Sequence, residues 1–241
     1  MNNIISPGGD FLKLYFQIPL LAMSDYYAGG GFALAHLVNN DPRYSAHFQH
    51  RNYVILDNGI HELGQSVDTD ALLQAFYLIW PRWVIAPDTM FDYRATREAL
   101  EKFVGIVPQS RVLPVLQYKN PEEFNSFHSY LISEGYKAIA LPYRSPRAAH
   151  LSDLKPGIHY HFLGLKNLSE LEYIARGTRN ISWSIDTGKP FRAAQNGGIV
   201  DGPKLDMYQP CNSEIALCYI QHMVNILKDA QSQEGQDGVC I

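Results

Sequence analysis

The chain has 241 residues, enough for one full domain and short of the ~250–300 at which single cores tend to split. With 46% hydrophobic and 18% charged residues it is neither a disordered nor a fibrous composition, and 15 Tyr and 11 Phe supply a large core. The formal net charge of −4 excludes a uniformly basic coat for unselective nucleic-acid binding and leaves a local basic face open.

Short apolar runs rich in β-branched and aromatic residues recur along the chain, each bounded by turn signals. In order they are Tyr53–Leu56, Trp83–Ala86, Val112–Leu116, Ala138–Leu141, His161–Gly164 and Ile181–Ile185. Helix-like segments follow at Asp70–Tyr77, Arg94–Val104, Pro121–Ser133, Ser169–Arg176 and Ser213–Lys228, with Asn120-Pro121-Glu122-Glu123 a good helix start. The strand runs are nearly continuous in apolar character, as in strands buried on both faces. Strand and helix in alternation mean parallel βαβ units. Six units, with room for one before Tyr53 and one after Asn196, predict a single α/β domain over residues 1–230, a (β/α)8 TIM-type barrel. An open doubly wound sheet is the competing architecture. Gly29-Gly30-Gly31 reads as a loop, residues 231–241 as a flexible C-terminal tail, and His159 and His161 as ordinary half-buried strand residues.

Three cysteines without a CxxC pair give no disulfide framework and fit a reducing compartment. The N-terminus shows no signal-peptide pattern, and apolar stretches run to about eight residues where a membrane helix needs ~20. A cytoplasmic protein with no membrane partner is the expectation.

Barrel active sites sit at the C-terminal ends of strands, so the polar residues after each apolar run carry the information. These are Asp57-Asn58-Gly59, Asp88 after Pro87, Gln117, Tyr143-Arg144, Gly164 to Asn167, and Asp186-Thr187-Gly188. A lone Asp after a strand is more often a turn or cap residue than a catalyst. Three in one mouth, with an amide, are harder to assign that way. Two convergent carboxylates suit substitution at an anomeric carbon, one as nucleophile and one handling the leaving-group proton. Carboxylate and amide together also suit the edge of a purine-like base. A glycosidase, a base-exchanging glycosyl transferase and a phosphate-sugar enzyme all remain open at this point. No Walker or Rossmann glycine motif is present. Cys211, Cys218 and His222 are the suggestive metal cluster, and they read as core cysteines with a helix histidine, because structural zinc wants four ligands. Residues 140–205 hold nine Lys/Arg, including Arg144, Arg147, Arg176, Lys189, Arg192 and Lys204, against five acids. Solvated helices or a sector facing a polyanion would both read so.

The stretch Ser184-Ile185-Asp186-Thr187-Gly188-Lys189-Pro190-Phe191-Arg192-Ala193-Ala194-Gln195-Asn196-Gly197 resembles the nucleophile segment of tRNA-guanine transglycosylases. Leu56-Asp57-Asn58-Gly59-Ile60-His61 is similar to that family's Asp-Ser-Gly-Gly-Phe-Gln motif, and Ala86-Pro87-Asp88 and Leu116-Gln117 match its base-recognition Asp and Gln in order. The resemblance covers roughly residues 50–230. It implies a barrel that exchanges guanine in a nucleic acid for a 7-deazaguanine base such as preQ0 or preQ1. Asp186 would be the nucleophile on C1′ and Asp57 the acid/base. Asp88, Gln117, Asn58, Gly164, Gln195 and the backbone near Ala140–Leu141 would serve the substrate, and Arg192 would hold a phosphate. Gln195 stands where the family has a second Arg, and Ile60 replaces its stacking aromatic. The Cys-x-Cys zinc insert is absent, so no metal or other cofactor is expected, and no RNA-binding extension follows. This trimmed form resembles the phage branch that puts deazaguanines into DNA, which favours DNA over tRNA and, if phage-encoded, the host cytoplasm. An unrelated barrel N-glycosidase and a non-catalytic nucleic-acid-binding barrel are the alternatives.

Overall fold

A computed structural model of the chain describes residues 13–22, 30–49, 51–143, 146–200 and 202–232. Eight parallel strands stand in the order β5-β4-β3-β2-β1-β8-β7-β6. They are β1 (Leu14–Phe16), β2 (Gly30–Leu34), β3 (Val54–Asp57), β4 (Trp83–Ile85), β5 (Val112–Leu113), β6 (Ala138–Leu141), β7 (His159–Phe162) and β8 (Ser182–Thr187). The remaining seam, from β5 to β6, closes through a parallel bridge of Val115 to Ala140, with Leu116 N donating to Ala140 O and Ala140 N to Pro114 O, both at 2.8 Å. The architecture is the expected (β/α)8 barrel. Nearly every strand residue is buried, in accord with the continuous apolar runs.

Helices α1 (Ala35–Asn40), α2 (Pro42–Phe48), α3 (Ile60–Leu63), α4 (Thr69–Ile79), α5 (Tyr93–Val104), α6 (Pro121–Ser133), α7 (Leu168–Gly177), α8 (Lys189–Gln195) and α9 (Ser213–Ser232) connect and cover the strands. Their starts obey local chemistry. Asp68, Asp92, Asn120 and Asn167 each accept a hydrogen bond from a backbone N–H in the first turn of α4, α5, α6 and α7. The helical segment at 213–228 runs on to Ser232, so residues 231 and 232, expected in a flexible tail, belong to α9; residues 233–241 lie outside the described residues.

Four details depart from the sequence reading. Both extra strands precede Tyr53 and neither follows Asn196. β2 opens with Gly30 and Gly31, placed above in a loop, because neighbouring rings crowd that strand. A Cβ on Gly30 would overlap the Tyr15 ring, and one on Gly31 would come within 2.7 Å of Phe48. The predicted Val112–Leu116 strand is cut at Leu113, since Pro114 has no N–H to give the ladder. Likewise β7 ends at Phe162 and starts at His159, because Gly164 turns out of the strand at φ +65°.

Candidate active site in the mouth of the barrel

A cavity of about 570 Å³ opens at the C-terminal ends of the strands. Asp57, Asp88, Gln117, Gly164, Asp186 and Arg192 all line it, so the residues that follow successive strands do meet in one mouth.

Asp186, the penultimate residue of β8, caps nothing. Its Oδ1 accepts from the Gly164 amide at 2.8 Å and is hydrogen-bonded to His161 Nε2 at 3.2 Å. The turn after β8 is instead held by Thr187, whose Oγ1 accepts from Lys189 N. Among the described residues Oδ2 of Asp186 takes no hydrogen bond, which leaves that oxygen for a ligand. Gly164 presents its N–H because Arg147 clamps the strand end. The buried Arg147 guanidinium donates to the carbonyls of Leu163 and Gly164 and pairs with Glu170 at 3.0 Å.

Asp57 is buried at the end of β3. Its Oδ2 accepts from Gly59 N at 2.9 Å, so a turn role is real for this residue. Burial, then the negative charges of Glu62, Asp186 and Asp88, push its carboxyl well above the usual aspartate range, against the pull of the Gly59 N–H. Asp88 makes no such turn contact. Asn58 Nδ2 donates to its Oδ1 at 2.7 Å and Gln117 Nε2 to its Oδ2 at 2.6 Å. Burial raises the Asp88 carboxyl, and those two donors partly offset it. Gln117 also accepts from Phe91 N, at 3.0 Å, with Phe91 at φ +60°. A bulky residue in that conformation is held there by its surroundings.

No protein-family model matches the chain, and no curated protein matches it. The functional reading therefore rests on this geometry and on the motifs themselves.

Several residues expected at the substrate sit elsewhere. Asn58 is fully buried behind Asp88 and also donates to Ala86 O, so it orients the carboxylate rather than lining the cavity. Ala140 and Leu141 are fully buried strand residues, and their strand meets the cavity instead through Pro142 and Tyr143. Gln195 donates to Asp206 O and Gln209 O and accepts from Asp206 N. That amide is consumed in holding the 206–209 loop, away from the cavity lining. Arg192 does line the mouth, yet its guanidinium binds the carbonyls of Gly202 and Pro203. Its first task is to fix the loop whose Leu205 and Met207 form one wall. The basic sector thins similarly: Arg147 is buried against Glu170 and Arg176 is paired with Glu172, while Lys189 and Lys204 line the mouth. Arg144 lies outside the described residues. No group of three or more His, Cys, Asp or Glu among the described residues is placed to hold a metal ion, Cys211, Cys218 and His222 included. No described helix is long and apolar enough to cross a membrane.

The sequence reading missed the interior of the barrel. His161 is fully buried, stacks on Phe32 and meets Tyr15 edge-on. Its Nδ1 is hydrogen-bonded to Ser184 Oγ, which is hydrogen-bonded to His159 Nε2, and His159 Nδ1 to Ser182 Oγ, each at 2.8 Å. A polar column thus runs down the axis from Asp186. Its signal was the period-two match of His159 and His161 on β7 with Ser182, Ser184 and Asp186 on the adjacent β8.

Proposed function

We propose that the mouth exchanges a nucleobase at C1′ of a nucleic acid, guanine leaving and a 7-deazaguanine base such as preQ0 or preQ1 entering. The observation that carries this reading is the meeting of Asp186 and Asp57, two carboxylates in unlike surroundings, beside the Asp88–Gln117 pair in a cavity of about 570 Å³. The raised Asp57 carboxyl suits proton transfer, and Asp186 Oδ2, which takes no hydrogen bond among the described residues, suits attack.

Asp186 Oδ2 attacks C1′ as the C1′–N9 bond breaks, and the bonding pair leaves with guanine N9. Asp57, whose carboxyl is raised above the usual aspartate range by burial, delivers a proton to the departing base. The incoming base then returns its N9 proton to Asp57 as N9 attacks C1′, and the Asp186–C1′ bond breaks. The exchange balances with the two carboxylates alone. Asp88 and Gln117 suit the donor-rich edge of the purine, and the half-exposed rings of Phe91 and Tyr143 offer stacking faces in place of the aromatic that Ile60 lacks. Lys189 and Lys204 stand where a phosphate would pass. DNA is proposed over tRNA on the likeness to the short, insert-free branch, with a cytoplasmic setting.

Incubation with labelled guanine and either DNA or tRNA, followed by mass spectrometry of the nucleosides, tests the reading. Exchange into DNA that vanishes in Asp186→Ala is expected, with a denaturation-resistant protein–DNA adduct in the unsubstituted protein. Exchange into tRNA alone would keep the chemistry and overturn the substrate. A fully active Asp186→Ala protein would end the proposal.

A further inference from the structure

A second cavity, larger than the mouth, lies at the other end of the barrel. It has a volume of about 1050 Å³ and is lined by residues that begin the strands, including Tyr15, Trp83, His159 and Trp183. Barrel enzymes place their chemistry at the opposite, C-terminal face, and the N-terminal face ordinarily serves stability. This one is built differently.

Among the described residues four cationic side chains line it, Lys13, Arg51, Arg82 and Arg111, and no Asp or Glu does. In a chain of net charge −4 that is a marked local excess. All three tryptophans of the protein, Trp80, Trp83 and Trp183, line the same cavity. Each has a cation over its ring. Lys13 Nζ lies 5.1 Å from the Trp183 ring, and the guanidinium carbons of Arg82 and Arg111 lie 5.4 Å from those of Trp83 and Trp80. Trp80 and Tyr77 stand more than half exposed, with near-parallel rings 29° apart. Trp80 closes α4 in the left-handed region at φ +49°, which disfavours a bulky side chain. Stability alone does not account for leaving an indole in water in that conformation.

Flat ring faces interleaved with cations are the equipment for stacking a base while neutralising its phosphates. We propose that this N-terminal cavity binds a phosphorylated ligand carrying a flat ring, that is, a nucleotide, either free or as a link in a single strand. An acidic peptide would use the cations and leave the indole faces idle. The proposal does not depend on the reading of the mouth, which opens at the other end of the strands.

Because every tryptophan faces this cavity, intrinsic fluorescence reports on it. The full chain is titrated with thymidine triphosphate, with a short oligothymidylate and with inorganic triphosphate. Saturable quenching by at least one thymidine probe is expected, weakening as salt rises. A response to the free nucleotide assigns the site to mononucleotides, and a response to the oligonucleotide alone assigns it to single strands. The exposed or half-exposed pair is then removed in Lys13→Ala/Arg82→Ala, which should weaken binding roughly tenfold or more through loss of two charged contacts, whereas Asp186→Asn in the mouth leaves the titration unchanged. No saturable change with either thymidine probe, an equal response to inorganic triphosphate, or unaltered binding by Lys13→Ala/Arg82→Ala would each overturn the proposal.

Discussion

Arg147 reaches Asp186 through a single peptide group. Its Nη1 donates to the Leu163 carbonyl at 2.6 Å, and the N–H of that same peptide, on Gly164, donates to Asp186 Oδ1 at 2.8 Å. Hydrogen bonds in series polarise one another, so the buried guanidinium both fixes the strand end and strengthens the donor that faces the carboxylate. Glu170 completes the line, and Asn167 at the start of α7 sets Glu170 in turn by accepting its backbone N–H.

Arg147→Met should therefore act on stability and on the site together. Removing one partner of a buried ion pair costs about 3–5 kcal/mol, a fall in melting temperature on the order of 10 °C for a chain of this size. Well below that temperature kcat for base exchange should also fall about tenfold with KM little changed, because Asp186 loses its preset angle. Calorimetry and kinetics on the same preparation check both. An unchanged melting temperature would show that Glu170 finds another partner at no cost.

Asp57→Asn separates charge from capping. The folded protein holds the Asp57 carboxyl above its ordinary value, so it keeps a proton that the unfolded chain releases. Stability from this group therefore falls as pH rises from ~3.9 through the raised value and is level above it. Asn removes that penalty and can still accept the Gly59 N–H. The variant should be more stable than the parent at neutral pH, with the gap closing toward pH ~4, while exchange drops by ~10²–10⁴. Denaturant titrations across pH measure the first effect. A variant less stable at neutral pH would mean that the turn contact outweighs the buried charge.

How much of this was legible in the sequence follows from what each residue touches. Six strands announced themselves because strands buried on both faces must be apolar throughout, as Ala138–Leu141 is. β1 and β2 stayed hidden: Leu14–Phe16 is three residues long, and the glycines of β2 answer to the rings of Tyr15 and Phe48, which only the fold brings near. Asp57, Asp88, Gln117 and Asp186 were readable because a barrel sends every strand end to one face. Asn58, Gln195 and Arg192 look like ligand contacts in a motif, yet their partners are backbone and side-chain groups far along the chain or on a neighbouring strand end. Arg147 gave no local signal, since its burial depends on Glu170 and on carbonyls from two strands.

His161→Phe tests the polar column. The ring contacts with Phe32 and Tyr15 can persist, while the hydrogen bond to Asp186 and the link to Ser184 are lost. Asp186 then rests on the Gly164 amide alone. A misplaced nucleophile costs roughly 10²-fold, so kcat should fall by about that factor with the covalent adduct still detectable. Ser184 is left short of a partner, so a modest loss of stability of about 1–3 kcal/mol is also expected. Single-turnover adduct formation is the decisive measurement. An unaltered rate would reduce His161 to packing.

Gln117 is the sharper probe of base recognition. Its amide holds Asp88 Oδ2 at 2.6 Å and accepts the Phe91 N–H at 3.0 Å, so one side chain sets both a carboxylate and the wall beside it. Gln117→Ala should raise KM for the entering base about 10–100-fold, the loss of one or two hydrogen bonds around a charged group, with kcat much less affected. Gln117→Glu is the informative companion. It sets a second carboxylate against Asp88, whose carboxyl burial already raises, and two such groups in contact repel when both are ionised. With one shared proton the pair can keep its hydrogen bond, so this variant should bind base poorly at neutral pH and recover as pH falls, the reverse of any loss caused by protonating Asp88 in the parent. A KM–pH profile of the two variants against the parent checks this. A Gln117→Glu protein with the parent's profile would mean that Asp88 is not the residue that reads the base.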